Sequence, residues 1–562
     1  MRRLLSAFLV AALALGLWYT AAVTYDPLYG AVDEEEILDA AATDEDSNTL
    51  TLWYCDEALT EYLSSASLSL QQDFGIKVNL VLKSGVEYLE AINEISITEA
   101  EDRSEAMPDL YITSHDNLLR AYLAGLASPV TDPGYIMSDS TYPNVALDAV
   151  TCYGQYVAYP LYYETAYFLY NKTYMASIAQ NKLESASDAA EGQASEEAAE
   201  AGETEEADST EESAAGADDQ DEAENDDADT ENQNDDTLTE DSDSTLADDG
   251  SENTDTSDEA VADDATSDLD GDAMGEEETE VSEEVLEELA TMIPATLDDI
   301  TTFANNYDAP EAVESVFKWD VTDIFYNYFF VGNYMEVGGT AGDNAAVFNI
   351  YNQQAVECLT AYQGMNQFFT IDTKTDNYDN ILNDFIEGKL VFTVATTDAI
   401  AKITQAKADG EFEFDYGVTT LPDVSDLLKS RGLSVTDAVA VNGYSRKSLE
   451  ANEFATYIVA NKAGELYRKA GKVACDKNID FDDPEISNVL AEYEKSMPLP
   501  KMVEAANYWV QLEIAFTDVW NGADPDETLR ALSDTIGGQI EEIRANLPTQ
   551  ESFSAGAGKF IQ

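Results

Sequence analysis

A chain of 562 residues carries 114 Asp and Glu against 27 Lys and Arg, a formal charge of −87 at pH 7. That balance excludes nucleic acid and anionic lipid surfaces as partners, because both need clustered basic side chains. The length exceeds what one hydrophobic core usually holds, so more than one core is expected.

The N-terminus places Arg2 and Arg3 before an apolar run, residues 4–23. It reads either as a cleaved signal peptide or as a retained membrane anchor, since about 20 apolar residues span a bilayer. Both readings put everything after residue 25 outside the cell. An acidic stretch, 26–48, lacks apolar periodicity and reads as a tether.

The globular pattern then begins. Residues Thr49–Tyr54 are β-rich, 59–73 helical, 75–82 a second strand, 107–113 a third, and 117–124 a helix closed by Gly125. Alternating strand and helix predicts a parallel sheet with crossover helices, an α/β fold. Two aromatic runs, 155–160 and 165–170, read as buried strands.

Residues 184–290 differ in kind. They hold 45 acidic residues and no Lys, Arg or aromatic, so the 31 Tyr, 20 Phe and 5 Trp all lie elsewhere. Such a segment buries too little apolar surface to offset chain entropy and is expected to be a disordered insert. A helix is expected to return at 281–292, and Thr296 is placed to cap another with Asp298 and Asp299 in its first turn. Beyond it, 345–369 reads as a long helix, 389–394, 414–419 and 438–441 as strands, and 450–463, 500–520 and 526–547 as helices.

Four cysteines, Cys55, Cys152, Cys358 and Cys475, show no close spacing. With a single His they make no zinc set; disulfides and buried free thiols both stay open. No cofactor or metal is expected. No Gly-x-Ser-x-Gly elbow or phosphate-binding glycine loop occurs, so the chain does not read as an enzyme.

Several fragments fall in a shared order: 73–78 (DFGIKV), 107–116 (MPDLYITSHD), 153–160 (YGQYVAYP), Glu164, 167–172 (YFLYNK), 385–390 (FIEGKL), 416–422 (YGVTTLP) and 507–522. In these the chain resembles the family 1 extracellular solute-binding proteins, the maltose-binding-protein-like receptors of ABC importers. The resemblance implies a two-lobed periplasmic-binding-protein fold of the type II kind, with a hinge between lobes. Lobe 1 would hold 49–161 and about 442–474; lobe 2 would hold 166–183, 291–435 and about 478–562. It implies a monomer that captures a small-molecule solute, a carbohydrate, and hands it to ABC permease subunits in the membrane. A surface adhesin or sensor, or a receptor for a peptide or polyamine, are the alternatives.

Sugar sites combine flat aromatic faces with carboxylates and amides that accept hydroxyl hydrogen bonds. The resemblance carries that role onto Asp56 and Glu57 after the first strand, His115, Asp116 and Asn117 after the third, and Glu164 at the crossing between lobes. On the second lobe it points to Phe325, Tyr326 and Asp398, with Trp509 as a C-terminal platform. Family members that bind maltodextrin have a basic residue at Glu57, an arginine at Asn117, and aromatics at Thr113 and Asp398. The cleft is therefore expected to be more acidic, and a cationic or amino sugar suits the extra carboxylates.

Overall fold

The computed structural model describes residues 48–83, 87–202 and 281–546. The apolar N-terminal run, the tether and residues 203–280 of the insert lie outside the described residues. Among the described residues, no helix is long and apolar enough to cross a membrane. Residues 183–282 form a unit separate from the rest of the chain.

The chain opens with β1 (Thr49–Tyr54), α1 (Thr60–Phe74), β2 (Lys77–Leu82), α2 (Tyr88–Ile97) and β3 (Leu110–Ser114). β1 pairs in parallel with both β2 and β3, as alternating strand and helix predict. α1 stops because Gly75 takes φ +71°, a left-handed cap that costs a residue without Cβ little. Short helices α3 (Leu118–Leu123) and α4 (Asn144–Ala149) follow, then the hairpin β4 (Thr151–Cys152) and β5 (Gln155–Tyr156).

The two strands expected at 155–160 and 165–170 are instead that hairpin and one continuous 13-residue strand, β6 (Tyr159–Asn171). Glu164 breaks the apolar run in the sequence without breaking the strand. Around it the strand changes partners. Residues Tyr159–Thr165 pair with β12 (Leu433–Val441), and Ala166–Asn171 pair with β10 (Leu390–Thr396) and β11 (Tyr416–Thr419).

From β6 the chain enters α5 (Lys172–Gly202). In the last part of α5, residues 184–202, the chain runs into the start of the acidic insert. It resumes in α6 (Glu283–Met292) and α7 (Leu297–Asn306). Thr296 caps α7 in a full capping box: its Oγ1 accepts from Asp299 N at 3.1 Å, and Asp299 Oδ2 accepts from Thr296 N at 2.9 Å. Next come β7 (Ser315–Lys318), β8 (Glu336–Val337) and β9 (Phe348–Asn349), then α8 (Gln353–Phe368) and α9 (Tyr378–Ile386). The long helix expected at 345–369 is shorter because Asn352, in extended backbone, caps α8 through Ala355 N.

α10 (Asp398–Asp409) follows β10. After β12 come α11 (Ser448–Thr456), α12 (Ala463–Ala470), β13 (Val473–Ala474), α13 (Pro484–Lys495), β14 (Met497–Pro498), α14 (Tyr508–Trp520) and α15 (Pro525–Asn546). The strand order is β2-β1-β3-β12-β6-β10-β7, with β11 and β13 also on β6 and β14 on β12.

Two buried clusters fill the body. One gathers β1–β3, β12 and the first half of β6 under α1, α2 and α11–α13, and continues to α9 and α10. The other is rich in aromatics and gathers Phe317, Trp319, Phe330, Tyr362, Phe516 and Trp520. The second half of β6 alternates between them, Tyr167 and Leu169 facing one cluster and Phe168 and Tyr170 the other.

Three stretches run together here, Thr165/Ala166 in β6, the start of β12, and β14, with β12 pairing to both of the others. Buried hydroxyls bind these passages together, Thr165 Oγ1 donating to Leu433 O (3.0 Å) and Ser496 Oγ to Ser434 Oγ (2.8 Å). Close by, a Cβ on Gly332 would overlap the Arg431 carbonyl. Gly332→Ala is therefore expected to destabilise the fold by about 1–3 kcal/mol through overpacking, read as a lower urea midpoint with an unchanged slope.

Candidate functional site

Parallel strands end in loops at their C-terminal edge, and ligands of open α/β sheets sit outside those ends. Here β1 ends at Tyr54 and β3 at Ser114, both beside the crossing of β6 and β12. Asp56 follows β1, and its Oδ1 caps the next turn by accepting from Ala58 N at 3.0 Å. Glu57 beside it is exposed. Asp116 follows β3 and accepts from Ser114 Oγ at 2.5 Å. Glu164 reaches the same place from the point where β6 changes partners.

Two further residues belong to this group. Asp437 lies in β12 at a register shift, opposite Ser114 on one side and Tyr162 on the other. Lys472 follows the left-handed Gly471 that ends α12. Its Nζ lies 3.0 Å from Asp56 Oδ2 and 3.3 Å from Glu164 Oε1, and 5.1 Å from the centre of the Tyr162 ring. Tyr162 OH also donates to Asp56 Oδ2 at 3.4 Å.

The charges shape one another. Burial raises the Asp437 carboxyl to about 7, helped by Glu164, Asp116 and Asp56 and opposed by Lys472. Burial works against the Lys472 ammonium, but Glu164 and Asp56 outweigh it and hold its pKa above the usual value. Four carboxylates and one ammonium thus converge where the halves meet. Among the described residues no group of three or more His, Cys, Asp or Glu is arranged to hold a metal ion.

On the far side of the crossing, Asp323 caps a turn through Phe325 N (2.8 Å). Phe325 is half-buried, and the buried Tyr326 stacks on Tyr378 at 4.9 Å. Tyr378 OH donates to Asp398 Oδ1 (2.7 Å), which also accepts from Thr396 Oγ1 (2.5 Å), while Lys402 Nζ lies 2.9 Å from Oδ2. Although burial opposes it, these three partners keep the Asp398 carboxyl below its usual range. The next residue back, Thr397, donates to Tyr163 O at 3.4 Å and so seats the start of α10 beside Glu164. Trp509 is half-buried at the start of α14 and meets Tyr328 edge-on at 5.5 Å.

The structure thus gathers Asp56, Asp116 and Glu164 on one side, and Phe325, Tyr326 and Asp398 on the other. Two residues are engaged by the protein itself. His115 is fully buried: Nδ1 accepts from Thr436 N (3.0 Å) and Nε2 donates to Leu499 O (3.0 Å). Burial and nearby Lys501 lower its pKa to about 4, so it is a neutral clasp between two crossing segments, with no ring nitrogen left for a ligand. Asn117 donates to Ser114 Oγ (3.0 Å) and accepts from Arg120, bracing its own turn.

Sequence reasoning missed Asp437 and Lys472. The signal for Asp437 was present, a carboxylate inside an apolar strand run like Glu164. For Lys472 nothing local distinguishes it from a surface lysine. The cysteines are all free thiols, Cys55 exposed and Cys152, Cys358 and Cys475 buried.

The fold has clear counterparts. The extracellular solute-binding protein of Staphylococcus aureus in complex with maltose superposes with a TM-score of 0.58 at 16% identity, over 89% of this chain and 100% of that one. A cyclo/maltodextrin-binding protein complexed with maltotetraose gives 0.57 at 14% identity over 90% and 100%. This is the two-lobed solute-binding fold. The maltose-binding periplasmic protein of Listeria monocytogenes, with maltose bound, gives 0.56 at 17% identity over 89% and 99%. No family model and no curated protein matches the chain. The acidic group described above lies beside β6 and β12, where β6 exchanges β12 for β10 and β11.

Proposed function

We propose that this chain is a receptor outside the cell membrane that captures a carbohydrate between its lobes and delivers it to an ABC permease, without chemically changing it. The observation that carries the reading is the convergence of Asp56, Asp116, Glu164, Asp437 and Lys472 at the crossing, with Phe325, Tyr326 and Trp509 on the second lobe. Hydroxyl groups of a sugar donate to carboxylates and accept from an ammonium, and aromatic faces cover the C–H side of a ring. The solved neighbours include three proteins named for maltose or maltodextrin, and they are binding proteins rather than enzymes. The apolar N-terminal run gives such a receptor either an anchor or an export signal. Lobe 1 would be residues 49–161 with about 442–474, and lobe 2 residues 166–183 and 291–435 with about 478–562.

A thermal-shift screen over neutral oligosaccharides, amino sugars, peptides and polyamines tests this. A ligand at 100 times its Kd adds about 2.7 kcal/mol to stability. The expected result is a rise in Tm with at least one saccharide, no product from any glycan, and loss of the rise in Glu164→Ala. Trp509→Ala is expected to weaken the same ligand about tenfold, the worth of one aromatic platform. A response to peptides alone overturns the substrate class, and released sugar overturns the non-enzymatic reading.

A further inference from the structure

The carboxylates of the cleft floor have one ammonium among them, and its placement is a product of the strand register. β13 pairs antiparallel with β6, Val473 opposite Tyr163, which sets Lys472 beside Glu164. The left-handed Gly471 turns the chain there, and the Lys472 stem runs over the Tyr162 ring before its Nζ reaches both Asp56 and Glu164. Lys472 is 20% exposed, so its head is screened from solvent yet reachable from the cleft. Lys501, which also lies near Asp116, is buried behind His115 and donates to Asp148 O (2.8 Å) and Ala149 O (2.7 Å). It is committed to backbone and has no reach into the cleft.

We infer that Lys472 determines the charge of the saccharide this receptor accepts, by holding Asp56 and Glu164 as one ion-paired group suited to an uncharged sugar. The inference rests on the carbohydrate reading above and adds its specificity. With the ammonium in place, Asp56 and Glu164 remain hydrogen-bond acceptors while half of their charge is offset, and the ammonium itself offers donors to a hydroxyl oxygen. Without it, Asp56, Asp116 and Glu164 form an uncompensated anionic floor in a low-dielectric cleft, which favours a ligand bearing an amine. Lys472 acts both by touching the sugar and by positioning the two carboxylates, and the chemistry of the ligand follows from it.

Isothermal titration of the full chain with maltotriose and with the glucosamine trimer compares a neutral and an amine-bearing probe of equal length. The wild type is expected to prefer the neutral trimer. Lys472→Met should move the ratio of the two affinities at least tenfold toward the amine, about 1.4 kcal/mol, and make amine binding weaken with added salt. Lys472→Arg should keep the wild-type ratio, and Lys472→Met/Glu164→Gln, which removes one charge of each sign, should return toward it. Because Asp437 loses the cation that opposes its raised pKa, the pH below which amine binding falls away should be higher in Lys472→Met than in the wild type; a merely structural lysine would leave that midpoint in place. An unchanged ratio and midpoint in a folded Lys472→Met overturns the inference alone. A wild-type chain that binds neither trimer nor any glycan of the screen removes the carbohydrate reading, and the inference with it.

Discussion

Replacing Trp319 by alanine is expected to lower the unfolding free energy by about 3–5 kcal/mol, the range for deleting a buried aromatic. The indole is fully buried and lies within a chain of rings, stacked on Phe317 at 4.8 Å and edge-on to Trp520 at 5.6 Å. Its Nε1 donates to Asn327 Oδ1 at 2.8 Å, and Asn327 Nδ2 in turn donates to Asp320 O (2.9 Å) and Asp323 O (2.6 Å). That network fixes the turn that presents Phe325 and Tyr326. Trp319→Phe should retain much of the packing but leave the buried Asn327 oxygen unpaired, costing about 1–3 kcal/mol. Chemical denaturation separates the two variants. If Trp319→Ala loses less than Trp319→Phe, the packing account is wrong. A saccharide affinity reduced in both folded variants would tie this network to the second-lobe aromatics.

The second large effect is on pH. Glu492 in α13 is fully buried at the crossing, where its Oε2 accepts from Leu421 N at 3.0 Å and lies 3.7 Å from Lys495 Nζ. Its Oε1 has no hydrogen-bond partner among the described residues. Burial raises its carboxyl to about 7 against the pull of Lys495 and the Leu421 and Gly432 amides. An acid whose pKa is higher folded than unfolded binds more protons in the native state, so its contribution favours folding most below about 4.5 and is lost as pH rises through 7. Asp437 acts in the same direction. Opposing them, Asp398 and Asp423 have lowered pKa values and give up stability only as pH falls through their own range, and the buried neutral His115 begins to give up stability as pH falls below about 6.5, a smaller effect down to 5.5 than the two raised acids together. Tm is therefore expected to rise as pH is lowered from 8.5 to about 5.5. Glu492→Gln should stabilise the chain at pH 8 by up to about 3 kcal/mol, at 1.36 kcal/mol per pKa unit, and flatten that slope. A Glu492→Gln profile parallel to wild type would assign the slope to other groups.

Much of the architecture is legible in the residues because it rests on period and punctuation. The apolar runs of β1 and β3, the left-handed Gly125 that closes α3 and the Thr296 cap each act locally, so the sequence alone predicts them. β6 is different: whether Glu164 ends a strand or marks a change of partner depends on β12, some 270 residues later. The candidate site divides the same way. Asp56 and Glu164 follow from strand ends and a carboxylate in an apolar run. The partner that unites them, Lys472, comes from a distant turn whose own sequence looks ordinary. His115 looks like a ligand group because its chemistry is versatile, but two backbone partners far along the chain, Thr436 and Leu499, claim both nitrogens.

The place of β12 in the sheet also sets an order of events during synthesis. β12 lies between β3 and β6 and is antiparallel to both, so neither of those strands has its inner neighbour until residues Leu433–Val441 exist. After Asn171 leaves the ribosome, roughly 260 more residues must follow before Leu433, an interval of roughly 13–50 s at about 5–20 residues per second. Throughout that interval the N-terminal strands expose unpaired edges and an open apolar face. The first half therefore completes its sheet only after the second half has been made.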